Sequence, residues 1–395
     1  MKINVYGHGG SYNHGNEAIV RGVKEIFPDS ELILHSMLPE GDYKYNLDEV
    51  CKIMPMINFR KYSLRHIAVK LYEVITGKYD KRWKYIYKNF INNIKKGEIY
   101  LLEAGDQYCE NATHRAMYAY INKSIRNKGG LTVMLGCTVN EEFLTEQEVV
   151  DDLNNYCLII ARESITYNAM LKYDVKTKIV LAPDPAFKMQ SQEIRLPQIF
   201  SDSEIIGINV GFLQQGNERY YDALVENTFE LVNYILSNTV YNIALIPHVN
   251  WSYKNSDLRT LELIKNHFNN SSRIFIVDDN PAPIQKFILS KCKYVFALRT
   301  HACIPSIASL VPTIVAGYKV KSTGIVYDIF PEDFELLAHV QSLCDNKIFV
   351  NKFIWLQKNE KRVIDYINRN IPQYISKTRI IKEEIMKLHN ENNRG

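Results

Sequence analysis

No window of the 395-residue chain holds the roughly 18 uninterrupted apolar residues of a membrane-spanning helix. Met1-Lys2-Ile3-Asn4-Val5-Tyr6 runs into glycines before an apolar core of signal-peptide length can form. A cytoplasmic protein is therefore expected. Cysteine is scarce: there are seven, an odd number, with no C-x-x-C pair, and most sit in apolar surroundings such as Cys157-Leu158-Ile159-Ile160. That excludes a disulfide framework and a zinc site, and no other metal-ligand cluster is visible. A dinucleotide fingerprint is missing too. The glycines after the first strand do not follow G-x-G-x-x-G, and no acidic residue follows the second predicted strand, Glu31 to His35. No nicotinamide or other cofactor is expected. There is no internal repeat, no recognised nucleic-acid module and no disorder expected beyond the tail His389 to Gly395.

What is present is an ordinary globular composition, 46% hydrophobic and 23% charged, in a chain long enough for two cores. The net charge of +4 hides an asymmetry: residues 51 to 96 carry +10 and the remainder −6. Within that stretch, Phe59 to Ile94 reads as two basic amphipathic helices broken near Gly77, with Tyr62, Tyr72, Tyr79, Trp83, Tyr85, Tyr87 and Phe90 among the cations. Aromatic residues beside Lys and Arg suit the headgroup region of an anionic membrane. Solvated helix faces are the competing reading.

Apolar, β-branched runs alternate with helical periods along the whole chain, which implies parallel sheets covered on both faces. Lys2–Tyr6 leads through Gly7-His8-Gly9-Gly10-Ser11-Tyr12-Asn13-His14-Gly15-Asn16-Glu17 into a helix from Ala18 to Phe27. Such a loop brings backbone close to a ligand, and Glu17, at the start of the helix, reads as an exposed carboxylate able to act as a base. Asn13 and Asn16 read equally well as turn and cap residues. Further strands end at Glu103-Ala104-Gly105-Asp106, Gly136-Cys137-Thr138 and Arg162-Glu163-Ser164. The prolines of Pro183-Asp184-Pro185 favour a structural Asp184. Gln190 to Ser203 is polar and aperiodic, the expected linker. The expected division is 1–195, 196–345 and a C-terminal helical segment 346–395.

In the second half, the strand Ile243–Ile246 ends at His248, and Lys293–Leu298 ends at Arg299-Thr300-His301, where a helix begins. The next strand, Val311–Ala316, releases Tyr318, Lys319 and Lys321 at the same edge. Strand carboxyl ends facing helix N-termini are where anionic ligands bind in open α/β sheets. Arg299, His301, Lys319 and Lys321 are thus expected to converge on a small polyanion.

These strand ends, taken in order, resemble the polysaccharide pyruvyl transferase family. The resemblance rests on Gly15-Asn16-Glu17-Ala18, Gly105-Asp106, Ala161-Arg162-Glu163-Ser164, Pro183-Asp184-Pro185-Ala186-Phe187, Ile246-Pro247-His248-Val249, Asp278-Asp279-Asn280, Arg299-Thr300-His301-Ala302 and Tyr318 to Gly324. Cys137-Thr138 stands where the family more often has serine, and Ala104 where it usually has glycine. The resemblance implies a GT-B-like α/β fold of two Rossmann-like domains facing across a cleft. It implies phosphoenolpyruvate as donor and a sugar diol of a surface-polysaccharide precursor, often lipid-linked, as acceptor. On that basis Arg299, Thr300, His301, His248, Tyr318, Lys319 and Lys321 are the expected donor contacts in the C-terminal domain. Asn13, Gly15, Asn16, Glu17 and Asp106 are the expected acceptor contacts in the N-terminal one. His301 is the first candidate for general acid and His248 the alternative; Glu17 and Asp106 are candidates for accepting hydroxyl protons. Two other functions fit the same architecture: a nucleotide-sugar glycosyltransferase, and a non-catalytic carbohydrate-binding protein.

Overall fold

A computed structural model of the chain describes residues 1–59, 63–103, 105–108, 112–213, 217–252 and 255–392, with backbone only at 106, 107, 112 and 113. The chain divides into two compact units. Unit 1 comprises 1–11, 26–184 and 378–395; unit 2 comprises 12–25 and 185–377.

Unit 1 is built on eight parallel strands: β1 (Lys2–His8), β2 (Glu31–Ser36), β3 (Lys52–Pro55), β4 (Ile99–Leu102), β5 (Gly105–Tyr108), β6 (Leu131–Val139), β7 (Leu158–Ala161) and β8 (Ile179–Leu181). Their order is β3-β2-β1-β4-β6-β7-β8, with β5 paired to β6 beside this path. Strands β4, β6 and β7 are buried at every position, as expected for a parallel sheet covered on both faces. The strand order reverses between β1 and β4, so the carboxyl ends of these two strands form the unit's topological switch point.

Unit 2 carries six parallel strands: β9 (Ile205–Asn209), β10 (Asn242–Leu245), β11 (Ile274–Ile276), β12 (Tyr294–Ala297), β13 (Thr313–Gly317) and β14 (Leu337–His339). They run in the order β11-β10-β9-β12-β13-β14, with the switch point between β9 and β12. Strands β9, β10, β12 and β13 are wholly buried.

The predicted two-sheet α/β class agrees with this architecture, and the domain boundaries do not. The helix His14–Ile26 folds with unit 2. Its first turn is tied to the end of β10 by the Asn13–Val249 bridge and by the His14 amide donating to the His248 carbonyl at 3.1 Å. Farther along, Gly22 lies so close to the Pro185 carbonyl that an added Cβ would approach its oxygen to 2.0 Å. The C-terminal segment also divides. Ile348–Lys358 and Glu360–Ser376 belong to unit 2, whereas Arg379–Asn392 belongs to unit 1. Helix therefore continues through His389 to Asn392, into the tail expected to be disordered.

Among its described residues the basic stretch contains three helices rather than two: Leu64–Thr76, Asp80–Ile86 and Lys88–Asn92. The expected break at Gly77 is present, where a φ of 66° lets glycine close the first helix with its amide donating to the Glu73 carbonyl. Strands β3, β5 and β14 escaped the sequence reading, because Lys52–Pro55, Gly105–Tyr108 and Leu337–His339 carry proline or polar residues in place of a continuous apolar run.

Candidate functional site

In unit 2, polar and charged groups gather around the switch point. Asn209 ends β9 and its side-chain oxygen accepts the Arg299 amide at 2.9 Å, latching the two strand ends together. Arg299, 7% exposed, precedes the helix Thr300–Ala308. Its Nε and Nη2 donate to Asp257 at 3.2 and 2.6 Å, Nη2 also donates to the Phe212 carbonyl at 2.8 Å, and Nη1 donates to the Tyr318 hydroxyl at 3.3 Å. The guanidinium lies 4.6 Å from the Phe212 ring centroid. Burial works against its charge, but Asp257 and Tyr318 outweigh that and hold it more firmly cationic than usual. Asp257 begins the helix Asp257–His267 behind its Ser256 cap, and its Oδ2 accepts the amides of His248 and Val249 at 3.1 and 3.0 Å. One carboxylate therefore fixes both Arg299 and the backbone that carries His248.

Three histidines complete the cluster. His14 is buried, with Nδ1 3.0 Å from Glu17 Oε2 and Nε2 2.9 Å from Asp279 Oδ1. Burial alone would neutralise it, but the two carboxylates raise its pKa to about 9, making it an imidazolium at neutral pH. Asp279 also accepts from Asn250 Nδ2 at 2.7 Å. The buried His248 ring meets His14 edge-on at 5.6 Å between centroids, and neither of its nitrogens has a hydrogen-bond partner among the described residues. Burial, and then the electrostatic influence of His14, His301 and Arg299, push its pKa well down, so His248 is neutral. His301, also buried, packs against the backbone of Gly15. A Cβ built there would lie 2.4 Å from Nδ1 and 2.8 Å from Cγ. The Thr300 hydroxyl is likewise buried without a protein partner among the described residues.

The remaining expected contacts are placed as follows. The Asn13 side chain accepts the Gly15 amide at 3.0 Å, and its carbonyl accepts the Asn16 amide at 2.9 Å, so Asn13 shapes the turn. Tyr318 is buried against Arg299. Lys319, half-buried, precedes the helix Val320–Ile329, with its ammonium 6.0 Å from the Tyr318 ring centroid. Lys321 is half-buried and close enough to the helix Thr300–Ala308 for its charge to be felt at Cys303. The side chain of Asp106 lies outside the described residues.

Glu17 differs from its expected exposed state. It is 0% exposed, and besides His14 it accepts from Arg21 Nε at 2.8 Å and from the Ala282 amide at 2.9 Å. The helix begins at His14, one turn earlier than predicted, which turns Glu17 onto the inner face. Asn13, Gly15, Asn16 and Glu17 consequently fold in the same unit as Arg299, Thr300 and His301, not in a separate N-terminal one.

Unit 1 has its own polar cluster at its switch point, and sequence reasoning missed it. His8, at the end of β1, lies 2.7 Å from Glu103 and 2.9 Å from Asp42. Asp42 also accepts from the Ser11 amide and hydroxyl at 3.0 and 2.6 Å, and from the Ser36 hydroxyl. Burial disfavours charge on His8, but Glu103 and Asp42 prevail and lift its pKa to about 10. Elsewhere in unit 1, Arg162 donates to Asp184 at 3.0 Å and to Thr138 at 2.9 Å, while Glu163 caps the helix Ser164–Lys172. Both strand-end motifs serve packing here. Among the described residues, no group of three or more His, Cys, Asp and Glu is placed to hold a metal ion.

His14, Asp257, Asp279 and Asn250 were not foreseen as site residues. The signals available were a histidine inside the glycine-rich turn, an aspartate one residue after a serine cap and, for Asp279, its place in the Asp278-Asp279-Asn280 motif.

A family model described as polysaccharide pyruvyl transferase matches residues 13–320. No curated protein matches the chain. Among solved structures, Anabaena HepE in complex with UDP and glucose superposes with a TM-score of 0.60 at 10% identity, covering 99% of this chain and 100% of that one. UDP-GlcNAc 2-epimerase from Neisseria meningitidis, bound to UDP-GlcNAc, gives 0.58 at 13% identity, covering 98% and 100%. Sucrose-phosphate synthase from Thermosynechococcus elongatus gives 0.54 at 13%, covering 99% and 98%. At these identities the likeness establishes the fold, which is of the GT-B type.

Proposed function

We infer, from the premise that the chain belongs to the polysaccharide pyruvyl transferase family, that it moves the pyruvyl group of phosphoenolpyruvate onto two hydroxyls of a sugar in a surface-polysaccharide precursor. The observation that carries this reading is the grouping of Arg299, Tyr318, His248, His301 and the charged His14 around one switch point. A donor with a carboxylate and a phosphate needs positive charge, which Lys319 and Lys321 add beside the carboxylate-paired Arg299 and His14, and it needs an imidazole to carry a proton.

Ketal formation adds a proton to C3 of the donor and joins one sugar oxygen to C2. The bond from C2 to the phosphate oxygen then breaks, and the second sugar oxygen takes its place. Of the two hydroxyl protons, one is balanced by the new methyl group and the other leaves with phosphate. The C2 centre becomes electron-poor as phosphate departs, so the cations should grip the anions at the periphery rather than the centre. Lys319 and Lys321 serve the phosphate as point charges. Arg299 contributes its field and its Nη1, because the Nε–Nη2 edge is engaged by Asp257.

His301 is the better general acid in this scheme. His248 is held neutral before the donor arrives and has no proton to spare. Bound anions would raise its affinity for a proton, which suits it to collecting one from a sugar hydroxyl. Glu17 orients His14 and keeps it charged, rather than taking a proton itself. Asn13, Gly15 and Asn16 present the turn that supports His301. A lipid-linked acceptor fits the concentration of positive charge in residues 51–96.

The complexes of the fold's neighbours with UDP and UDP-GlcNAc favour one second reading, a nucleotide-sugar transferase. Thermal-shift titration with phosphoenolpyruvate and a panel of UDP-sugars separates the two. Stabilisation by phosphoenolpyruvate supports pyruvyl transfer, and stabilisation by UDP-sugars alone overturns it.

A further inference from the structure

The helix Leu64–Thr76 sits in unit 1 with its polarity reversed. Its inward side carries His66, Val69 and Glu73, and Glu73 forms a paired contact with Arg82 at 2.6 and 2.7 Å. Tyr72 is half-buried at the edge, its hydroxyl donating to Asp80 at 3.0 Å and its ring under the Lys81 ammonium at 3.9 Å. The outward face is apolar: Leu64 is 88% exposed, Ile67 47%, Leu71 57%, Val74 81% and Ile75 79%. At 100° per residue these five, with Ala68, fall in one stripe along the helix. Exposed Arg65 and Lys70 flank it on either side, and exposed Lys78 and Lys81 follow its C-terminal end.

Both ends of the helix are sealed. Ser63 accepts the His66 amide at 3.2 Å, and Gly77 closes the other end in the left-handed conformation. This is a finished thirteen-residue helix, and its large side chains face water. A contiguous apolar face of this kind marks an interaction surface.

We propose that this stripe docks on an anionic lipid bilayer, with the helix lying flat in the headgroup plane. The occupant is identified by charge complementarity. The surrounding residues 51–96 carry +10, and Arg65, Lys70, Lys78 and Lys81 are spaced to meet lipid phosphates while the apolar stripe enters the acyl boundary. Tyr79, 39% exposed just beyond the helix, has the amphipathic ring favoured at that depth. Among the described residues, no helix is long and apolar enough to cross a membrane, so the contact is with one leaflet only. The inference is independent of the pyruvyl-transfer reading.

Co-sedimentation of the full chain with vesicles tests it. Vesicles of phosphatidylcholine alone are compared with vesicles containing phosphatidylglycerol, using wild type, the triple variant Leu64→Ser/Val74→Ser/Ile75→Ser, and Arg65→Gln/Lys70→Gln/Lys78→Gln. All six positions are solvent-exposed, and thermal denaturation checks that each variant stays folded. Wild type should partition onto the anionic vesicles and weaken with salt. The serine variant should lose about tenfold or more in partitioning, and the glutamine variant should lose the preference for anionic lipid. Wild type remaining in the supernatant, or a serine variant that binds like wild type, overturns the proposal. A wild-type dimer that the serine variant dissociates, without vesicle binding, overturns it in favour of a second copy as the cover.

Discussion

Gly15→Ala separates the placement of His301 from its chemistry. Gly15 sits in the first turn of the helix His14–Ile26 and is not among the left-handed glycines, so its backbone accepts alanine. Helix propensity alone would favour the change by about 1 kcal/mol. The new methyl group, however, would stand 2.4 Å from His301 Nδ1 and 3.0 Å from the Asn13 side-chain oxygen. A comfortable contact is about 3.5 Å, so the imidazole must retreat by about 1 Å. Overpacking of this kind costs about 1–3 kcal/mol, which the helix propensity partly offsets. A displacement of about 1 Å at a reacting group lowers the rate on the order of 100-fold. The expected result is a melting temperature within a few degrees of wild type, as about 1–2 kcal/mol implies, together with a kcat about 100-fold lower in a phosphate-release assay. A variant that keeps wild-type kcat while remaining folded would refute the assignment of His301 to the chemistry.

His301→Ala should slow turnover by about two to four orders of magnitude, and a rise in donor KM alone would make His301 a binding group. Arg299→Ala should weaken phosphoenolpyruvate binding and also destabilise the fold by about 3–5 kcal/mol in urea denaturation, because it strands the buried Asp257 carboxylate. An unchanged urea midpoint would remove Asp257 as the guanidinium's structural partner. Protonated His8 and His14 titrate at about 10 and about 9 in the folded chain, above the unfolded value of about 6.5. Their contribution is therefore complete below about pH 6.5 and is lost as pH rises through about 9 to 10. The melting temperature should fall across that window and fall less in His8→Gln; a flat wild-type profile would contradict the charged state of both residues.

The sheets were legible because a parallel strand buried on both faces must be apolar at consecutive positions, as Tyr294–Ala297 and Leu158–Ala161 are. Arg299, His301 and Tyr318 could be placed at one edge because strand direction fixes which end of each run faces the ligand side. The surroundings of those residues were not legible. Asp257 lies 42 positions before its partner Arg299, and nothing in Ser256-Asp257 distinguishes it from a helix cap. The crossing of residues 12–25 into unit 2 depends on contacts such as Gly22 against Pro185 and Asn13 against Val249, which leave no periodic trace. Glu17 was misplaced for the same reason: a helix start displaced by one turn moves a carboxylate from the rim to the interior. The structural role expected for Asp184 from its flanking prolines was legible, and a buried ion pair with Arg162 fills it.

The most direct test is incubation of the purified chain with phosphoenolpyruvate and a lipid-linked sugar acceptor, following product mass and phosphate release together. The account predicts that the acceptor gains a pyruvyl ketal, one phosphate is released for each ketal formed, and both signals are lost in His301→Ala. Glycosyl transfer from a UDP-sugar to the same acceptor, with phosphoenolpyruvate left unconsumed, would contradict it.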